Sequence, residues 1–415
     1  MTPYTRILVS ISNPEDYRLF RRLGDAVPEA RIDYIANNLA IYLYLRVKRE
    51  RVFYPRRKRV DGTPSLRDGF SVRTGRLSEA TAEVVYGGYR AFFETHVGAE
   101  RWDLMVLPSG RLAGQHGLAD AARVAGVPTL YTGYGNVDNR IFADPQGTDR
   151  QSLLFNDPAI LDALDPDLDG FEAWRARYVA SRKVSHVVAQ AKGVGLKTRV
   201  LKFVQILFCQ AERALGLCSE NEYGLSELRK LEPAKIEFDA LPDGLRYAFF
   251  PLQVSTDAQV ILNYHKGDLI EALREAVAFA TSRGLPLVIK PHPAELNQKV
   301  LDEIHALKPA LGFHISDGNT FRLIDGAEVV VTINSTVGLE AMLMDREVHF
   351  LGQTLYAAFD RRRMAAYVSR YLIDEPYFAS DGRPFSDAGA QALLARAQMR
   401  PTRPASVPTA AAAPV

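Results

Sequence analysis

The sequence predicts an α/β protein made of two Rossmann-like domains with a helical connecting region between them. Its 415 residues exceed what one hydrophobic core usually organises, which favours two domains. Short apolar, β-branched runs alternate with helical patterns in both halves, the arrangement of open, mostly parallel sheets. The middle of the chain has few strand-like runs and many helix formers. The expected divisions are a Rossmann-like domain over 1–155, a helical connecting region over 156–240, a second Rossmann-like domain over 241–375, and a C-terminal helix with a disordered tail over 376–415.

The run Arg6–Ser12 is the first strand, and Asn13-Pro14 opens a helix with Tyr17, Phe20 and Leu23 on one face. Further βα units are expected at Ala30–Ile35, at Leu104–Leu107 before Pro108-Ser109-Gly110, and at Pro128–Tyr131 after a helix around Ala119–Ala125. From Asp157 to about Ser226 the pattern is helical, with Val200, Phe203, Val204, Leu207 and Phe208 at helical spacing. Cys209 and Cys218 fall in one such stretch. A rise of ~1.5 Å per residue sets their Cα atoms farther apart than the roughly 7 Å a disulfide tolerates. Unbridged thiols suit a reducing compartment.

After the turn Leu241-Pro242-Asp243-Gly244 the alternation becomes regular. Strands are expected at Arg246–Pro251, Pro286–Lys290, Gly312–Ile315, Glu328–Ile333 and Glu347–Leu351. Helical patterns such as Asp268–Arg283 and Leu296–Leu307 are long enough for right-handed crossovers between parallel strands. Pro401–Val415 is rich in Pro and Ala without periodicity and is expected to be disordered.

Charge narrows the partners. Fifty-one Lys and Arg against 49 Asp and Glu leave +2, too balanced for a protein that neutralises many phosphates along a nucleic acid. Met1–Ile11 has no apolar run of signal-peptide form, and no stretch reaches the ~18 apolar residues of a membrane span, so a cytoplasmic place is expected. One local exception is the basic segment Arg46–Arg59, which encloses Phe53 and Tyr54. It is either a solvated helix face running into a loop or a patch facing anionic lipid at the inner membrane or a phosphorylated acceptor. No metal or cofactor is expected, because no Asp-x-Asp is placed to bridge a diphosphate and no His and carboxylate set has ligand spacing.

Ligands of open α/β sheets bind at the carboxyl ends of the strands, so the loops after the C-terminal strands carry the candidates. Behind Phe250-Pro251 stand Gln253, Asp257 and Gln259, polar groups where an apolar strand stops; the alternative is a turn rich in capping residues. In Lys290-Pro291-His292-Pro293 the prolines fix φ near about −65° and keep His292 out of the helical region. An imidazole held there, with Lys290 two positions earlier, suits a nucleotide-sugar phosphate; otherwise it braces the loop. Asn334-Ser335-Thr336-Val337-Gly338-Leu339-Glu340 places two hydroxyls before a helix with a small residue in its first turn, an anion site or a plain N-cap. Gly352-Gln353-Thr354-Leu355-Tyr356 is the weakest of the four loops.

Taken in order, Pro-Leu-Gln with a following Asp and Gln, Lys-Pro-His-Pro, Ser-Thr-x-Gly-x-Glu and a Gly-containing turn with Tyr resemble the capsule polysaccharide biosynthesis family over roughly Tyr131–Tyr356. That family includes bacterial β-Kdo transferases. The resemblance implies a GT-B glycosyltransferase, with acceptor contacts mainly in the N-terminal domain and a CMP-sugar in the C-terminal one. His292, Ser335 and Thr336 would hold the CMP phosphate, Glu340 would approach the ribose, and Gln253, Asp257 and Gln259 would line the cleft near the sugar.

In the N-terminal half, Gly135-Asn136 and Phe142–Thr148 resemble the segment that in family members follows a catalytic acid placed just before a glycine. Here that stretch is Tyr131-Thr132-Gly133-Tyr134, without a carboxylate. Neither Thr132 nor Gly133 readily acts as a base near pH 7. Asp138 and Asp144 are the nearest carboxylates and the expected replacements, although Asp144 also suits a cap on the turn before Pro145. The expected function is therefore transfer of a nucleotide-activated sugar, CMP-Kdo or a similar CMP-sugar, to a lipid-linked or glycan acceptor in making a surface polysaccharide. The alternatives are a non-catalytic assembly or export partner that keeps the nucleotide site, and a nucleotide-sugar epimerase.

Overall fold

The structure is a computed structural model and describes residues 4–184, 196–223, 236–295, 297–379 and 382–402. Leu296, at the start of an expected helix, and the expected tail beyond 402 lie outside the described residues, as do parts of the connecting region.

Two Rossmann-like sheets account for the chain. The first contains β1 (Arg6–Ile11), β2 (Arg31–Ala36), β3 (Val52–Phe53), β4 (Leu104–Pro108), β5 (Thr129–Tyr134) and β6 (Ile141–Asp144), in the order β3-β2-β1-β4-β5-β6. The second contains β7 (Ala248–Pro251), β8 (Leu287–Lys290), β9 (His314–Ile315), β10 (Val329–Thr332) and β11 (Glu347–Phe350), in the order β11-β10-β7-β8-β9. Central strands such as β4 and β10 are buried along their whole length, as parallel strands covered by helices on both faces require. Asn13 and Asn38 cap the helices Pro14–Ala26 and Leu39–Val47 through their side chains, so two βα turns end on an Asn where the strand stops. The strand order reverses between β1 and β4 in the first sheet and between β7 and β10 in the second, and there the loops diverge to leave crevices.

Several expectations need correction. The strand expected to end at Tyr131 continues to Tyr134 and turns into an antiparallel partner, β6, with Tyr131 opposite Asp144 and Tyr134 opposite Ile141. Its connection places Asn136, Asp138 and Asn139 at φ 67°, 49° and 57°, a left-handed backbone that Asn and Asp tolerate. The helix expected around Ala119–Ala125 begins at Ala113, because the Gln115 side chain accepts from the Leu112 N–H at 3.2 Å in place of a Ser or Asp cap. The helix Leu196–Ala214 ends before Cys218, which follows Gly216 at φ 64° and takes a backbone bond from Cys218 N to Pro55 O at 3.0 Å. The two cysteines therefore sit on different elements and no disulfide joins them.

The basic segment starts in the last turn of the helix Leu39–Val47, which carries Arg46, and is only partly loop beyond it. It forms the edge strand β3 and then a strap in which Lys58 N donates to Val84 O at 3.0 Å across the helix Glu79–Glu100. Gly87 and Gly88 permit that crossing, since a Cβ at either would stand 2.2 Å from Lys58 O or 2.3 Å from Arg56 O. Arg51 is drawn inward onto Asp33 and Glu100, whereas Arg46, Lys48, Arg49, Arg56, Lys58 and Arg59 remain exposed.

The described part of 376–415 is a wall of the first domain rather than an appendage. Ala390, Leu393, Leu394 and Ala397 pack with Phe20 and Leu23, and Arg22 pairs with Glu375 at 3.2 Å. A further cluster joins the two sheets, bringing Phe142 and Leu154 against Leu339, Tyr356, Tyr367 and Tyr371. No helix among the described residues is long and apolar enough to cross a membrane.

Candidate functional site

The second switch point gathers most of the sequence-predicted residues. The loops after β7 and β8 are tied where Leu252 N donates to Lys290 O at 2.9 Å. Gln253 is buried at 6% exposure and donates through Nε2 to Asn334 Oδ1 at 3.3 Å, which links β7 to the loop after β10. Asn334 Nδ2 donates in turn to Gln259 Oε1 at 2.9 Å and to Gln353 O at 3.2 Å, and Asn263 Nδ2 reaches Gln259 Oε1 at 2.7 Å. An amide chain thus spans the loops after three strands. Asn263 was not legible as a member, because it lies at the end of the short helix Ala258–Asn263 and reaches the site through Gln259 and through its carbonyl, which accepts from Gln353 N at 2.8 Å.

Two buried atoms of the first loop, Gln253 Oε1 and Ser255 Oγ, have no partner among the described residues. Leaving a buried polar atom unsatisfied costs about 1–3 kcal/mol, so a donor from outside the chain is the economical solution. Asp257 is committed to capping: its carboxylate accepts from Gln259 N at 2.9 Å. Ser335 caps the helix Thr336–Leu343, accepting from Val337 N at 3.2 Å, and Thr336 follows half-buried in the first turn. Gly338 sets how near that helix stands to the sheet, since a Cβ would come within 2.6 Å of the Phe350 ring and 3.0 Å of Thr332 Cγ2.

Lys290 is turned to the neighbouring loop. Its Nζ donates to Gly318 O at 2.8 Å and Thr320 Oγ1 at 2.9 Å, and burial holds its pKa below the ordinary lysine value. The His292 Nδ1 accepts from Ala294 N at 3.1 Å, which leaves the ring proton on Nε2. Burial lowers its pKa, with the nearby Asp257 and Glu295 carboxylates pulling the other way, so the ring is a neutral donor rather than a cation. Glu340 accepts from Tyr178 OH at 3.2 Å, and burial pushes its pKa up to about 7. Tyr178 and Arg182, whose guanidinium lies 5.2 Å from the Tyr178 ring centre, come from the helix Leu168–Val184. Sequence spacing did not find them, because that helix lies far from the motif in the chain.

The two expected replacement acids take other places. Asp138 is exposed at the tip of the β5–β6 connection and accepts from Trp174 Nε1. Asp144 is fully buried: Oδ1 accepts from the N–H groups of Gln146 (2.8 Å), Gly147 (3.2 Å) and Leu153 (2.9 Å), and Oδ2 from Leu154 N (3.1 Å) and Tyr371 OH (3.0 Å). Five donors engage it, the arrangement of the turn-bracing alternative. Thr132, in the stretch Tyr131–Tyr134, is fully buried with an unpartnered hydroxyl. Among the described residues no group of three His, Cys, Asp or Glu could hold a metal ion.

Comparison with known proteins follows this division of the chain. Residues 221–359 match the family profile described as capsule polysaccharide biosynthesis protein. Protein FixF of Sinorhizobium fredii is 32% identical over 139 residues, 33% of this chain and 34% of that protein. The capsule polysaccharide export protein KpsS of Escherichia coli is 31% identical over 121 residues, 27% of this chain and 31% of that protein. The chain's match spans about a third of the length of these curated relatives. Among solved structures, the β-Kdo 2,7 transferase of Thermosulfurimonas dismutans KpsC aligns over 95% of this chain and 100% of that one, with 14% identity and a TM-score of 0.39. A UDP-GlcNAc 2-epimerase of Methanocaldococcus jannaschii aligns over 95% and 99%, with 10% identity and a TM-score of 0.33. No function follows from structural likeness at these levels.

Proposed function

We propose, from a chain whose residues 221–359 carry the pattern of the capsule polysaccharide biosynthesis family, that the protein is a glycosyltransferase of surface-polysaccharide assembly. Its donor is a nucleotide-activated sugar, CMP-Kdo or a similar CMP-sugar, held at the switch point of the second sheet. Its acceptor is a lipid-linked or other glycan. The observation that carries this reading is the unpartnered, buried Gln253 Oε1 at that switch point, next to a neutral His292 and the capped start of the Thr336 helix. A sugar hydroxyl is the donor that such an amide oxygen lacks, while the imidazole N–H and the helix N–H groups suit a phosphate.

The exposed cations of Arg46–Arg59 support a peripheral place at the inner membrane, where lipid-linked acceptors reside; anionic lipid offers the complementary charge. The reading is tested by incubating the protein with CMP-Kdo and a Kdo-terminated glycolipid, and measuring CMP released above a protein-free control. Enzyme-dependent release is expected.

One observation favours a second reading, a non-catalytic assembly or export partner. Position 132, where family members carry an acid, is Thr with a buried hydroxyl, and the partial relative in Escherichia coli is named an export protein. Calorimetric binding of CMP without any release would select this reading.

A further inference from the structure

Resting on the glycosyltransferase reading, we infer that His116 takes the acceptor's proton, in a pocket between the two domains distinct from the donor loops. The pocket has a volume of about 240 Å³ and is lined by Arg111, His116, Asp120 and Asp149 of the first domain and Asn263 of the second. That is below the ~300–1,000 Å³ of pockets that enclose whole drug-sized ligands, and suits the end of a longer molecule. Asn263 is also the last member of the amide chain that runs through Gln259 and Asn334 to Gln253. The pocket therefore adjoins the loops proposed to hold the donor.

The fold holds His116 in place from behind. The helix Ala113–Val124 follows β4 at the first switch point and lies close on the helix Glu79–Glu100. Gly114 and Gly117 permit this, since a Cβ on them would stand 2.4 Å from the Tyr89 ring and 2.2 Å from Tyr86 O. His116 and Asp120, one turn apart, are presented to the pocket instead. The imidazole bonds the Arg111 backbone, and burial keeps it neutral against the opposing charge of Asp120.

Apart from Asp68, an exposed carboxylate at the rim, the other charged groups at the pocket are already engaged or carry the wrong charge. Asp149 is paired with Arg111. Asp120 accepts from Tyr86 OH at 2.7 Å and from Arg123 at 3.4 Å. Arg150 reaches Gln353 Oε1 at 3.3 Å across the domains, and Asp68 stands exposed at the rim. A neutral imidazole is the better base near pH 7.

In the step, the acceptor oxygen forms a bond to the anomeric carbon as its proton passes to the open ring nitrogen of His116. The bond from the anomeric carbon to the donor's phosphate oxygen breaks, and the electron pair leaves with the nucleotide. The imidazolium then loses its proton to water.

The test uses the full chain with CMP-Kdo and a Kdo-terminated glycolipid. His116→Gln is expected to lower kcat by roughly 10²–10⁴-fold with CMP affinity unchanged, and to abolish the acidic limb of the kcat–pH profile, along which wild-type rate falls as His116 takes up a proton. Retained kcat, or a retained limb, overturns the role of His116 alone. Absence of CMP release by the wild type overturns the glycosyltransferase reading and this inference with it. A measurement that needs no variant is modification of His116 by diethyl pyrocarbonate, followed by peptide mass: the glycolipid should slow it and CMP alone should not. Equal modification with and without glycolipid overturns the pocket as its site.

Discussion

Replacing Asp144 with Asn separates a turn-bracing carboxylate from a catalytic one. Asn keeps an oxygen where Oδ1 accepts from Gln146, Gly147 and Leu153, but puts an NH₂ where Oδ2 accepts from Leu154 N and Tyr371 OH. The Tyr371 hydroxyl can rotate to accept from that NH₂; the Leu154 N–H cannot, and is left buried against another donor. One orphaned buried N–H costs about 1–3 kcal/mol. Burial raises the Asp144 pKa despite its five donors, so the neutral amide recovers part of the cost of holding a charge there, and the expected loss lies in the lower half of that range, about 1–2 kcal/mol. Asp138→Asn, at an exposed turn, should stay within about 0.5 kcal/mol. Urea unfolding followed by tryptophan fluorescence measures both. If Asp144→Asn keeps wild-type stability while sugar transfer disappears, the carboxylate acts in the chemistry and the bracing role is wrong.

Three further outcomes are expected. His292→Ala should weaken CMP binding several-fold in calorimetry and leave the thermal transition nearly in place, since the ring's bond among the described residues is from Ala294 N; unchanged affinity would remove His292 from the phosphate site. Glu340, with a folded-state pKa pushed up to about 7 from 4.5, contributes stability that is complete below about 4.5 and is lost as pH rises through 7. Glu340→Gln should therefore flatten the fall in Tm across that window, and parallel wild-type and variant curves would count against a buried carboxyl there. The exposed cations of the Arg46–Arg59 strap, with Leu43 and Val47 exposed on the adjoining helix, should carry the protein upward with anionic liposomes at low salt and release it as salt rises; no flotation at low ionic strength would make the strap a solvated edge.

How legible the sequence was depends on the distance over which each feature is assembled. The donor loops are made of consecutive residues at strand ends, so Gln253, His292 and Ser335 could be found by asking where an apolar run stops and what stands behind it. The registers of β7, β8 and β10 then bring those loops together. The first domain is assembled from residues distant in the chain. Asp144 is completed by Tyr371, Arg22 by Glu375, and the N-terminus of the Ala113 helix by Glu220, whose carboxylate accepts from Gly114 N at 2.6 Å. No local period announces such pairs. His116 precedes the expected start of its helix for a related reason: that start carries a glutamine cap instead of the usual Ser, Thr or Asp.

That asymmetry bears on the missing acid. On β5, Thr132 is sealed, and Asp144 on β6, opposite Tyr131, is spent on its own turn. On the proposed reading the proton acceptor stands instead one strand over, on His116 of the helix that follows β4. That position leaves the amide chain through Gln253, Asn334 and Gln259 untouched. The family pattern over residues 221–359 can therefore persist while the chemistry facing it changes.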